Sequence, residues 1–110
     1  MRTKLLRCRI IPGMLAGEYS ALAQMADGRE FSVFTWRDNI EIDEEPTMER
    51  PVDGWLSVEV LGQDKDKVLI ELPQEATEYG KVVTVSARQL RETPTDLARA
   101  KNDPVECGNP

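Results

Sequence analysis

Residues 19–36 read YSALAQMADGREFSVFTW, and this stretch decides the fold class. Tyr19 to Met25 and Glu30 to Trp36 alternate in the period-2 manner of strands, with Asp27-Gly28 between them. Both turn positions accept positive φ, which matches the twist of two antiparallel strands, so the sequence predicts a β-hairpin. Counting outward from a two-residue turn pairs Gln24 with Phe31, Leu22 with Val33, Ala21 with Phe34 and Tyr19 with Trp36. Small residues then face large ones, the packing expected of cross-strand neighbours.

Upstream of the hairpin, Thr3 to Ile11 reads as a strand, with Leu6, Cys8 and Ile10 on one face and Leu5, Arg7, Arg9 and Ile11 on the other. Pro12 and Gly13 end it, and Met14 to Glu18 form a loop or a single helical turn. Downstream, Ile40 and Ile42 fit a short edge strand. The acidic run with Pro46 and Pro51 argues instead for a long connection over 37–54. Trp55 to Leu61 and Val68 to Leu72 make a second hairpin around Gly62 to Lys67, and Pro73 to Gly80 is a loop. Lys81 to Ser86 is a strand, Ser86 caps a turn over Ala87 to Leu90, and Thr95 starts a brief helix over Asp96 to Lys101. The expected architecture is mainly β: a six-stranded antiparallel small barrel or sandwich over 1–92, then a short helical segment and tail over 93–110. Two three-strand units lie at 3–36 and 55–86. Their loop lengths run in opposite order, so no repeat is assigned.

The chain has 110 residues, the size of one domain, and aromatics make up only 5% of it. It contains no histidine, which removes the commonest general base and metal ligand and every imidazole triad. A net charge of −6 argues against general nucleic-acid binding, whose affinity needs clustered Lys and Arg. The charge is uneven: Arg2, Lys4, Arg7 and Arg9 make the N-terminus basic, while Glu41, Asp43, Glu44, Glu45, Glu49 and Asp53 crowd residues 41–53. Cys8 and Cys107 are far apart, one in a strand and one in a Pro/Gly-rich tail, so free thiols in a reducing cytoplasm are expected. No signal peptide and no membrane-spanning apolar run is read.

The second half, Gly54-Trp55 through Val85 and Ser86-Ala87-Arg88-Gln89-Leu90, resembles the ending of small Src-homology-type barrels, where a hairpin precedes a strand and a tight helical turn. The aromatic cluster of that family's peptide-binding members has no counterpart in Thr3 to Ile11, so proline-peptide binding is not carried over. The first half, with Ile10-Ile11-Pro12-Gly13-Met14, Glu18-Tyr19 and the Asp27-Gly28 hairpin, is similar to short uncharacterised bacterial proteins, some carried on mobile elements such as integron cassettes. That resemblance implies a context and no site residues.

Trp36 and Trp55 flank the acidic connection. If it closes, the two indoles and Tyr19 make an aromatic platform beside Glu44, Glu45 and Glu49, suited to a cationic ligand or a basic partner. The alternative places the indoles in the core. The run has Pro46 where a calcium loop needs its glycine, and Asp64-Lys65-Asp66-Lys67 is explained by turn chemistry, so no metal is expected. Cys8 has no histidine to activate it, and the glycines form no phosphate-cradling spacing, so no cofactor is expected either. The favoured reading is a non-enzymatic interaction or assembly module, self-associating as a dimer. Apolar residues on both strand faces support that dimer. A small-molecule binder of cationic or amphipathic ligands and a carboxylate-based enzyme are the competing classes.

Overall fold

The structure, a computed structural model, describes residues 2–76 and 78–93. Eight strands run in chain order: β1 Arg2–Pro12, β2 Glu18–Gln24, β3 Glu30–Trp36, β4 Ile40–Glu41, β5 Val52–Asp64, β6 Lys67–Ala76, β7 Gly80–Ser86 and β8 Leu90–Glu92. All pairings are antiparallel, and β5-β1-β2-β3-β6 closes into a five-stranded barrel through the β5–β6 pairing. β4 and β7 extend the order at its two ends, and β8 pairs with β1. The chain is therefore mainly β, with two more strands than the sequence predicts. The extra ones are the two- and three-residue pieces β4 and β8, each following a 3-10 turn, at Arg37–Asn39 and Ala87–Gln89. The helix expected over Asp96 to Lys101 lies outside the described residues. No helix among the described residues is long and apolar enough to cross a membrane.

The alternation read in β1 holds: Leu6, Cys8 and Ile10 are buried in the barrel, and Arg7 and Arg9 are exposed. Leu56 and Val58 from β5, Val33 from β3, Ile70 and Leu72 from β6, and Val83 and Val85 from β7 join them in one cluster. Each such side chain contributes about 1.5–3 kcal/mol by leaving water.

The first hairpin forms one residue out of the expected register. Ala21 faces Val33, Leu22 faces Ser32 and Glu18 faces Trp36. The cause is the turn. Met25 N–H donates to the Arg29 carbonyl at 2.7 Å and Gly28 N–H to the Met25 carbonyl at 2.9 Å, with Gly28 at φ +92. This is a three-residue loop whose last residue is left-handed, not a two-residue turn at Asp27-Gly28. The shift pairs Ala21 with Val33, both buried. The two-residue turn belongs to the second hairpin, at Lys65-Asp66, with Lys65 at φ 60. β6 also runs through Pro73, where a loop is expected. Its pairing with β7 lapses between Glu71 and Ala76, so the missing proline N–H interrupts no ladder.

The two halves of the chain repeat one plan at an offset of 50 residues. Adding 50 carries the start of β1 onto that of β5, Glu30–Trp36 onto Gly80–Ser86, Arg37–Asn39 onto Ala87–Gln89, and Ile40 onto Leu90. The pairings follow. Leu6↔Leu56 maps onto itself, Ile40↔Leu56 onto Leu90↔Leu6, Glu41↔Trp55 onto Arg91↔Leu5, and Pro12↔Tyr19 onto Gly62↔Leu69. Arg29 and Tyr79, also 50 apart, touch each other, with the guanidinium 5.3 Å from the ring centroid. The molecule therefore has an internal pseudo-two-fold axis, and each half lends its last strand to the other half's first. The two three-strand units, to which no repeat is assigned from their loop lengths, are thus related by this axis. Differing loops and a bulge between Val60 and Gly62 hide the repeat.

Candidate functional site

The outer side of β1 and β5 carries the residues that alternate away from the core. Trp55 lies there, directly opposite Arg7 on β1 and Glu41 on β4, while Arg9 lies opposite Asp53. The basic N-terminal strand and the start of the acidic segment, separate poles in the sequence, thus share one face. Gly54 makes the approach of the acidic chain possible. A Cβ there would stand 2.6 Å from Ile42 Cγ2 and 2.9 Å from the Glu41 carbonyl oxygen.

Trp55 is half-buried in a cleft of about 430 Å³ lined by Arg37, Ile40, Glu41, Ile42, Asp43, Asp53 and Arg91. The Arg91 guanidinium stacks over the indole, 4.2 Å from the ring centroid. This is a cation–π contact. A second cleft of about 370 Å³ shares Asp43 and Asp53 with the first and adds Glu44, Glu45, Thr47, Arg50, Pro51 and Val52.

The acidic connection is fastened at two points. The Tyr19 hydroxyl donates to Glu45 Oε1 at 2.7 Å, and Arg37 Nε lies 3.9 Å from Glu45 Oε2. That hydrogen bond to Glu45 holds the Tyr19 hydroxyl above its ordinary pKa, because ionising it would set two negative charges together. Farther along, Thr47 and Arg50 exchange backbone hydrogen bonds of 3.1 and 3.0 Å, and the Thr47 hydroxyl accepts another from Arg50 N–H. Pro46 is buried, and Met48 stands 66% exposed at the tip.

Of the residues expected at the site, Trp55 lies in the first cleft and Glu44 and Glu45 in the second. Tyr19 joins them through Glu45. Trp36 is 45% exposed at the end of β3 and lines neither cleft, nor does Glu49. The cross-strand neighbour of Trp36 is Glu18 on β2. Sequence reasoning missed Arg91, Arg37, Glu41, Asp43 and Asp53 as cleft residues. Arg91 reaches Trp55 only because β8 pairs with β1, a contact with no local signal.

Cys8 is a buried thiol whose Sγ donates to the Leu6 carbonyl at 3.4 Å, and burial pushes its pKa up to about 12. Such a group is no nucleophile near neutral pH. Among the described residues, no three His, Cys, Asp or Glu side chains gather closely enough to hold a metal ion. No family model, curated protein or solved structure matches the chain, and the functional reading rests on this geometry.

Proposed function

We propose that the protein is a non-enzymatic interaction module that takes a basic segment of a partner protein at the Trp55 cleft. The observation that carries this reading is the indole, which lies in a surface cleft whose walls include Glu41, Asp43 and Asp53. An aromatic anchor ringed by charged groups is the usual anatomy of a binding hot spot and its rim. Carboxylates on the wall add attraction for a cation, which salt screens. A reducing cytoplasmic setting belongs to the same proposal, supported by the free buried thiol of Cys8.

The direct test uses a hexa-arginine peptide titrated by calorimetry at rising salt. Binding should be measurable at low ionic strength, weaken as salt rises, and be lost in Trp55→Leu. The pair Asp43→Asn and Asp53→Asn should weaken binding and flatten its salt dependence. Binding that persists unchanged in Trp55→Leu would move the site elsewhere.

A second reading, self-association as a dimer, is supported by a different surface. Leu69 on β6 and Val82 on β7 are 41% and 45% exposed, and they border a cleft of about 500 Å³ lined by Met25, Tyr79 and Val83. Sedimentation should show dimers at tens of micromolar that Leu69→Asp converts to monomers. A strictly monomeric wild type defeats this second reading and leaves the first intact.

A further inference from the structure

We infer that Arg91 is an internal ligand of the Trp55 cleft, and that the partner segment enters by replacing it with an arginine of its own. The inference rests on the cleft reading above and names the partner's chemistry and the gate it meets.

Three observations carry it. First, the cleft already holds the group it is proposed to recognise, since the Arg91 guanidinium lies 4.2 Å from the Trp55 ring centroid between walls that include Glu41, Asp43 and Asp53. A planar guanidinium can lie flat on an indole and still offer its edge to carboxylates, and a compact ammonium cannot do both.

Second, among the described residues the stack on Trp55 is the contact that holds the Arg91 head. Among the described residues its guanidinium makes no ion pair within 4 Å, whereas Arg37 in the same cleft is 3.9 Å from Glu45 and donates to the Ile40 carbonyl at 3.2 Å. Among the described residues, removing Arg91 from the ring forfeits the stack alone, and Glu41, Asp43 and Asp53 make no ion pair that would keep them from an incoming guanidinium.

Third, the pseudo-symmetry shows that the cleft is one-sided. The counterpart of Trp55 at the offset of 50 is Leu5, which is buried, and the counterpart of Arg91 is Glu41. Arg91 therefore reaches across β1, from an edge strand of the same half as Trp55, to cover an aromatic that has no counterpart in the first half. The side chain stands on β8, three residues long, so its withdrawal leaves the closed barrel untouched.

The test compares two glycine-flanked peptides, one with a central arginine and one with a central lysine, in a Trp36→Phe background where Trp55 is the sole tryptophan. Wild type, Arg91→Ala and Arg91→Lys are titrated, and circular dichroism checks the fold of each. Removing an intramolecular occupant that fills the site most of the time should tighten the arginine peptide about tenfold. Arg91→Lys should give an intermediate gain, because the lysine head competes less well for the ring. The lysine peptide should bind more weakly to all three proteins. Equal affinity of the arginine peptide for wild type and Arg91→Ala, with binding still lost in Trp55→Leu, overturns the gate while the cleft stands. Equal binding of the two peptides overturns the guanidinium preference. If neither peptide binds any protein, the cleft reading itself fails.

Discussion

At the residue scale, two positions show how much single atoms decide. In the sequence Gly54 reads as the end of the long connection over 37–54. In the fold it is the point where β4 and the following chain press onto β5, opposite Cys8. Gly54→Ala should destabilise by about 1–3 kcal/mol, since backbone and not a flexible tip must move. It should also shift Trp55 emission as the cleft wall retreats, and an unchanged denaturant midpoint would refute the close approach. Cys8 offers a pH test whose sign follows from linkage. Burial raises the folded pKa from the usual 9.0 to about 12, so between those values the unfolded chain loses a proton that the folded chain keeps. The protein should therefore lose stability as pH rises from about 9 towards 12. Cys8→Val, the residue found at its counterpart Val58, should keep the fold and lose less stability over that range than the wild type. The burial of Cys8 was readable from alternation in β1. The half-burial of Trp55 was not, because it depends on a glycine and an edge strand far along the chain.

At the element scale, the strands were legible because period-2 alternation is a local property, and their registers were not, because turns set them. Asp27-Gly28 promised a two-residue turn, yet the structure uses Gly28 as the left-handed last residue of a longer loop. The Asp27 carboxylate accepts from Arg29 N–H at 3.0 Å, and this hydrogen bond holds Asp27 below its ordinary pKa. The true two-residue turn, Lys65-Asp66, carries no glycine and lies within the Gly62 to Lys67 turn that the sequence predicts, shorter than its six residues. Lys65 takes φ 60, a conformation that costs a non-glycine residue about 1–2 kcal/mol. Lys65→Gly should therefore stabilise the protein by about 0.5–1 kcal/mol, the gain being reduced by glycine's larger entropy in the unfolded chain. Thermal unfolding checks this, and a lower melting temperature would show that the turn is unstrained. The edge strands β4 and β8 were hardest to read, since two or three residues carry no periodicity and gain their pairing only from β5 and β1.

At the scale of the whole molecule, the internal two-fold axis governs what can fold alone. Only five described positions are identical at the offset of 50, Leu6/Leu56, Leu22/Leu72, Gln24/Gln74, Ala26/Ala76 and Val33/Val83, too few to announce a repeat. Burial keeps what identity does not: Cys8 and Val58, or Thr35 and Val85, fill equivalent places in the core. The longest pairing, Arg2–Ile10 with Val60–Val52, joins the two halves. β4 of the first half completes β5 of the second, and β8 of the second completes β1 of the first. Neither half should therefore fold alone. Fragments 1–48 and 49–110, cut at the exposed tip of the Thr47–Arg50 turn, should each lack a cooperative unfolding transition. Mixed one to one, they should regain a β-sheet spectrum and a single transition. The pseudo-symmetry also allows fragment 1–48 to pair with its own copy, and charge decides between the two outcomes. In the native pairing Arg9 faces Asp53, and the Thr3 hydroxyl donates to Glu59 at 2.6 Å. In a self-pair, Arg2, Lys4, Arg7 and Arg9 would crowd both strands with no carboxylate opposite. Self-pairing should therefore emerge only at high salt, as screening removes that repulsion. A fragment 1–48 that folds cooperatively as a monomer would show instead that the halves are autonomous and that the exchanged strands are incidental.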